Sequence, residues 1–228
     1  MERYSLIDTK LPREFVLLQG RGCKWGKCTF CDYHSDKNPE PFQTNRLVLE
    51  KVTGIYGVLD VINSGSAVDL DSQTIDLINK VVKEKNIHTL WFEMHYMYRN
   101  QLSDFAKLFP NVDVKFRCGI ETFDAELRTK WNKGVANDVT AEDVARYFQG
   151  VCLLCCTKGE TKERIQRDID LALKYFEYFS VNLFCNNTTQ VERDEELAQW
   201  FEKEIYPQIK DNPKVEILLN NLDLGVGG

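Results

Sequence analysis

The sequence predicts an α/β protein built as a partial, splayed (β/α) barrel of six to seven parallel strands. Three observations predict it. Apolar strand-like runs alternate with helical patterns of ten or more residues, and parallel strands need crossovers of that length. Seven such runs and about six crossovers can be counted, which suits a barrel. Yet the chain, at 228 residues, is shorter than the roughly 250 of a complete eightfold barrel, and no helical pattern follows the seventh run. An open doubly wound sheet is the alternative that strand count leaves standing.

Taken in order, Glu14 to Gln19 (EFVLLQ) is a short apolar run that reads as a buried strand. The turn-rich HSDKNPEPFQTN follows a cysteine loop, and Asn45 to Thr53 then carries a helical pattern through Leu47, Val48 and Val52. Val58 to Asn63 is the second strand and SGSAVD ends it; Asp71 to Lys85 repeats apolar residues at Ile75, Ile78, Val81 and Val82, the spacing of an amphipathic helix. His88 to Glu93 reads as the third strand, Gln101 to Phe109 as a short helix and Val112 to Gly119 as the fourth strand. Asp124 is placed to cap a helix bearing Leu127 and Trp131, and Thr140 with Asp143 has the spacing of a capping box. Val151 to Cys156 is the fifth strand. Thr161 caps a helix striped by Ile165, Ile169, Leu173 and Phe176, and Phe179 to Phe184 is the sixth strand. Asp194 caps the last helix, Pro207 and Pro213 mark its exit, and Lys214 to Leu219 is the seventh strand.

Composition supports one domain over residues 1–228: 43% of residues are hydrophobic and 28% charged, enough for one substantial core. The net charge of −6 gives no long-range attraction for phosphate backbones, so a small-molecule substrate is favoured and tRNA is not expected. No apolar run approaches the roughly 18 residues of a membrane span, and MERYSLIDTK has no apolar signal core. A cytoplasmic protein is expected.

The chemistry is concentrated in LLQGRGCKWGKCTFCDYHSD, where Cys23, Cys28 and Cys31 fall within nine residues after the first strand. One short loop can aim three thiolates at a common centre and fill three corners of a cubane 4Fe-4S cluster, leaving the fourth iron open to a small molecule. A closed Cys3His zinc site with His34 competes on this spacing. A disulfide is the weaker alternative, since three clustered cysteines leave an odd thiol. Cys118, Cys152, Cys155, Cys156 and Cys185 fall in or at the ends of strands and read as small buried hydrophobes; a second cluster on Cys152, Cys155, Cys156 and Cys185 would require strand distortion.

Four segments, each at a strand end and in consistent order, carry a resemblance: GCKWGKCTFC, NSGSAVD, GIETFDAELRTKWNKG and the KGET turn. Together they resemble the radical S-adenosylmethionine (SAM) superfamily over essentially the whole chain. The first cysteine gap holds four residues, Lys24 to Lys27, where the commonest superfamily motif has three, so the match is to a variant. The resemblance implies that Cys23, Cys28 and Cys31 hold a 4Fe-4S cluster whose free iron binds the amino and carboxylate groups of SAM. It places Phe30 near the adenine, although Phe30 also reads as a loop aromatic packing on the rim. It sets Asn63, Ser64, Gly65 and Ser66 against the methionyl amine, where a plain turn is the alternative. It has Glu121 accept the ribose hydroxyls and Arg128 pair with the methionyl carboxylate, the alternative being ordinary charges at a helix start. An external electron donor of flavodoxin or ferredoxin type follows from the same chemistry.

Polar and aromatic residues cluster after the remaining strands: Glu93, His95 and Tyr96 after the third, Asn182 and Phe184 after the sixth, Asn220 and Asp223 after the seventh. Amides and carboxylates suit hydroxyls and ring nitrogens, and aromatics suit a flat heterocycle, so these residues are the expected substrate contacts. With its small size, no auxiliary extension, the SGS and GIET motifs and these polar rims, the chain looks like the bacterial queuosine lyases, which release queuine from its nucleoside or nucleotide. Another small radical SAM lyase or modifying enzyme, and a zinc-bound interaction module, are the alternatives. No side chain is assigned as a catalytic acid or base.

Overall fold

A computed structural model describes residues 1–227, with the side chain of His34 excepted, so the fourth ligand of the zinc alternative lies outside the described residues. The residues fall into two compact units.

The first unit comprises Met1–Gly26, Tyr33–Phe116 and the chain from Leu224 onward. Its strands are β1 (Tyr4–Ile7), β2 (Arg13–Leu18), β3 (Val58–Asn63) and β4 (Thr89–Met94). β1 runs antiparallel to β2 with Tyr4 opposite Val16, whereas β2 to β3 and β3 to β4 are parallel. All six residues of β2 are buried, as a parallel strand covered on both faces must be. Three α-helices belong to this unit: α1 (Phe42–Leu49), α2 (Ser72–Glu84) and α3 (Leu102–Ala106). The Asp71 side chain accepts from Thr74 N at 2.9 Å and starts α2, whose buried stripe is Thr74, Ile78, Val81 and Val82. The structure moves α1 upstream of the expected Asn45 start for a physical reason. Asn45 is fully buried and bridges, accepting from Gln19 N at 2.7 Å and donating to Thr74 Oγ1 at 3.1 Å. Its polarity serves the core and no cap.

The second unit comprises Lys27–Asp32 and Arg117–Asp223. β5 (Asp113–Glu121) ends in it, followed by β6 (Gly150–Cys155), β7 (Tyr178–Leu183) and β8 (Val215–Leu218), all parallel where paired. Between them lie α4 (Ala125–Lys130), α5 (Ala141–Ala145) and α6 (Lys162–Tyr175), and α7 (Glu195–Trp200) passes through a π-helical turn into α8 (Tyr206–Ile209). Each expected cap is made: Asp124 accepts from Leu127 N, Thr140 and Asp143 form the reciprocal box, Thr161 accepts from Arg164 N and Asp194 from Leu197 N.

In hydrogen-bonding order the strands follow the chain from β1 to β8. A doubly wound sheet reverses its order at a switch point, and no reversal occurs here, so successive βα units make a partial (β/α) barrel. The seven strands read from the sequence are β2 to β8, and the last does pair with its neighbour. β1 is an addition. Among the described residues no helix is long and apolar enough to cross a membrane.

Candidate functional site

In the first unit, the loop that leaves β2 lies against the turn after β3. A Cβ built on Gly65 would stand 3.2 Å from Cys23 Cα and 3.4 Å from its N, so only glycine lets the cysteine backbone approach this closely without displacement. The polar side chains of that turn hold its shape: Ser64 Oγ accepts from Gly20 N at 3.3 Å, Asn63 Nδ2 donates to Ser66 O at 3.3 Å, and Ser66 Oγ accepts from His95 N at 2.9 Å. Sequence reasoning gave Asn63, Ser64 and Ser66 to a ligand; the structure shows each already engaged in building the cradle. Asp69, at the end of the same motif, accepts from Tyr98 Oη at 3.2 Å and pairs with Lys24 of the cysteine loop at 3.3 Å. Burial, then the Asp69 charge, pushes the Tyr98 phenol above its usual range. Neither residue was foreseen, although Asp69 stands inside the segment that drew attention.

The expected substrate residues of this unit sit at the end of β4. His95 accepts from Met97 N through Nδ1 at 3.1 Å, which assigns its proton to Nε2, and its ring stacks on Trp25 at 5.8 Å. Tyr96 is buried beneath the Arg99 guanidinium, 4.9 Å from the ring centroid, and Glu93 is half-buried.

In the second unit, residues 27–32 are pinned on several sides. Thr29 N donates to Trp131 O at 3.0 Å, Asn132 Nδ2 to Lys27 O at 3.1 Å, Asn187 Nδ2 to Phe30 O at 2.8 Å and Thr188 Oγ1 to Asp32 at 3.1 Å. Phe30, Leu127, Trp131 and Phe184 form one apolar cluster against which Cys28 and Cys31 pack, with Phe30 edge-on to Trp131 at 5.4 Å. Phe184 is only 3% exposed there. The sequence reading offered Phe184 or Tyr96 as a stacking surface for substrate, and Phe184 packs in the cluster that holds Phe30.

Glu121 has the most unusual backbone of the expected ligands. Gly119 pairs with Cys152 and Glu121 with Leu153, so Ile120 is the extra residue of a bulge that ends β5. Glu121 emerges with φ +68°, a left-handed conformation that costs a non-glycine residue roughly 1–3 kcal/mol. Its Oε1 takes a 2.9 Å bond from Lys133 Nζ, and both side chains are largely buried. Lys133 was missed by sequence reasoning, although it lies in the WNKG end of a quoted motif. Arg128 has a structural task beside the expected one. It is 1% exposed, and its Nη2 donates to the carbonyls of Ala136, Asn137 and Val139 at 3.2, 3.4 and 2.9 Å, so it fastens the loop after α4.

Asn182 and the β8 residues complete the list. Asn182 Oδ1 is buried without a hydrogen-bond partner among the described residues, an acceptor left over by the fold. Asp223 is exposed and closes its own turn, accepting from Leu219 N at 2.7 Å and Asn220 N at 2.9 Å. Asn220 is exposed in that turn.

Cys23, Cys28 and Cys31 are half-buried free thiols, whereas Cys118, Cys152, Cys155 and Cys156 are buried, which divides them as ligand candidates and core hydrophobes should divide. Cys185 is half-buried against the carbonyls of Leu183 and Leu219. Among the described residues no three His, Cys, Asp or Glu side chains stand in a ready metal-binding arrangement. The donor set of the loop, three thiols with a glycine cradle behind the first, fits an iron-sulfur cluster better than a hard cation.

No family model matches the sequence, and no curated protein matches it by sequence comparison. Solved structures do. Methylornithine synthase superposes with a TM-score of 0.56 at 14% identity, over 89% of this chain and 63% of that one, a likeness of fold alone. The queuine lyase from Clostridium spiroforme, solved bound to SAM and queuine, superposes with a TM-score of 0.95 at 42% identity over 100% of both chains. Identity at that level over the whole length of both proteins is more than a shared fold requires, and the chain belongs to the queuine lyase family of the radical SAM superfamily.

Proposed function

We propose that this protein is a radical SAM lyase that releases queuine from queuosine or its 5′-phosphate. The observation that carries the proposal is its full-length likeness, at 42% identity, to an enzyme whose structure holds both SAM and queuine. Cys23, Cys28 and Cys31 hold the cluster, and the Gly65 turn gives the first of them its close seat. What the cluster and SAM supply when bound is a 5′-deoxyadenosyl radical able to remove hydrogen from a substrate carbon. Phe30 offers the aromatic edge for the adenine, and the Oε2 oxygen of Glu121, opposite the one bonded to Lys133, accepts ribose hydroxyls. For the base, Asn182 Oδ1, without a hydrogen-bond partner among the described residues, accepts an N–H or O–H, and His95 at the end of β4 is also a candidate contact. Glu93 and Tyr96 at the end of β4, and Asn220 and Asp223 after β8, are the further candidates for the cyclopentene diol and the secondary amine. The protein works in the cytoplasm with a flavodoxin or ferredoxin as electron donor.

The test is anaerobic. Cluster-loaded, reduced protein incubated with SAM and queuosine should yield queuine and 5′-deoxyadenosine together. Appearance of 5′-deoxyadenosine without free base, from the nucleoside and from its 5′-phosphate alike, would retain the radical chemistry and reject this substrate.

A further inference from the structure

Lys133 occupies a position that nothing in the motif explains. It follows Asn132, which holds a left-handed turn at φ +51° after α4, and this turn carries the lysine inward until it is 7% exposed. A buried lysine ordinarily tends toward its neutral form. Here the Glu121 carboxylate, 2.9 Å away, supplies the opposite charge that a buried ammonium needs. Two neighbours define the position, Glu121 Oε1 at 2.9 Å and the Phe30 ring centroid at 5.6 Å, and Cys28 and Cys31 pack against the same apolar cluster as Phe30. Each belongs to the expected machinery, Glu121 for the ribose and Phe30 for the adenine, with two of the expected cluster thiols packed beside them. Glu121 meanwhile leaves its strand on a bulge in a strained conformation, so its side-chain direction depends on what it is bonded to.

We propose that Lys133 is a positioning residue for SAM. It ties down one oxygen of Glu121 so that the other faces the nucleoside, and it sets a fixed positive charge over Phe30, whose cluster the thiols of Cys28 and Cys31 pack against. The inference rests on the radical SAM reading and adds to it a residue that touches neither the iron nor the reacting carbon. Two consequences can be measured without turnover. Loss of the tether frees Glu121 to rotate and weakens SAM binding. Loss of the charge makes an added electron on a neighbouring cluster less favourable, which moves its midpoint potential to more negative values.

The experiment uses the cluster-loaded full chain. In the Lys133→Met protein, iron should stay at about four per chain, the SAM dissociation constant should rise about tenfold to a hundredfold and the midpoint potential should fall. Lys133→Arg, which restores a cation and a donor, should recover most of both. Because the lysine acts through Glu121, Glu121→Gln and Lys133→Met should be strongly non-additive in SAM affinity when combined. Lowered thermal stability with wild-type SAM affinity and wild-type potential would reduce Lys133 to a fold residue and overturn the inference. If Lys133→Met does not fold, the combined variant leaves no buried charge unpaired and carries the test: its potential must lie below that of Glu121→Gln alone, and an equal potential overturns the inference. A wild-type chain that takes up neither iron nor SAM overturns the reading beneath it, an outcome distinct from a silent Lys133→Met.

Discussion

Two buried ion pairs, built from the same kinds of group, show how this chain separates stability from function. Arg13 and Asp60 lie near the starts of β2 and β3, both side chains fully buried, with Nε 2.9 Å from Oδ2 and ordinary strand backbone on each side. Lys133 and Glu121 sit at the other kind of strand end, after β5, at the same 2.9 Å. There the carboxylate comes from a strained residue, and one of its oxygens is left without a protein partner among the described residues. A sealed pair can only hold the fold. A pair with an acceptor to spare can hold a ligand as well.

The largest effect should come from opening the sealed pair. Arg13→Met removes the cation from a fully buried carboxylate and should lower stability by about 3–5 kcal/mol, read by chemical denaturation. The protein that remains folded should bind SAM with unchanged affinity. A marked loss of SAM affinity at constant stability would erase the distinction between the two pairs.

Buried carboxylates with no ion pair among the described residues should behave differently again. Glu160 accepts from Thr157 N at 3.0 Å and Asp168 from Thr122 Oγ1 at 2.5 Å and Phe123 N at 3.1 Å, all uncharged donors. Burial pushes Glu160 up to about 7 and Asp168 up to about 6, in each case above the unfolded value. Between the unfolded and folded values the native state binds more protons than the unfolded state, so stability is greatest at low pH within this window and falls as pH rises through about 4.5 to 7. For Glu160 the loss is on the order of 3 kcal/mol, and Glu160→Gln should flatten that part of the pH profile. A profile that rises over the same interval would mean the two carboxylates are solvated or paired.

Opening the functional pair from the acid side should move affinity more than stability. Glu121→Gln keeps the shape but replaces a charged acceptor, so SAM should bind about tenfold to a hundredfold more weakly, some 1.4–2.8 kcal/mol, with iron content unchanged. Iron loss on this substitution would instead place Glu121 among the supports of the cluster loop.

The same contrast explains which parts could be read from the sequence. Helix starts were legible because Asp71, Asp124, Thr140, Thr161 and Asp194 are caps whose partners lie within three residues. β3 matched from Val58 to Asn63 because its apolar run is bounded by turn formers on both sides. β1 escaped notice since Tyr4–Ile7 is short and lies on the sheet edge, with Leu6 half-exposed. β5 was ended at Gly119, two residues early, because a bulge and a left-handed glutamate have no local signature. The three thiols announce themselves by spacing. Lys133 and Asp69 do not, since an ordinary charged residue acquires meaning only from partners distant in sequence: Glu121 is 12 positions from Lys133, and Tyr98 is 29 from Asp69.

Arg128 is where motif and packing part most clearly, and its effect should be the smallest. The resemblance gives it the methionyl carboxylate, for which a planar fork matters. The structure puts its Nη2 between three carbonyls of the loop after α4, and carbonyls need a donor more than a fork. Arg128→Lys keeps the charge and one group of donors but cannot reach all three acceptors at once. The loop role therefore predicts a loss of about 1 kcal/mol in stability with SAM affinity intact. The carboxylate role predicts the reverse, since a lysine of the same charge loses the two-pronged contact while the loop needs little rearrangement. Denaturation and SAM titration on one preparation separate them, and weaker SAM binding at unchanged stability would return Arg128 to the cofactor and leave Glu121 and Lys133 as one half of a two-handed grip on it.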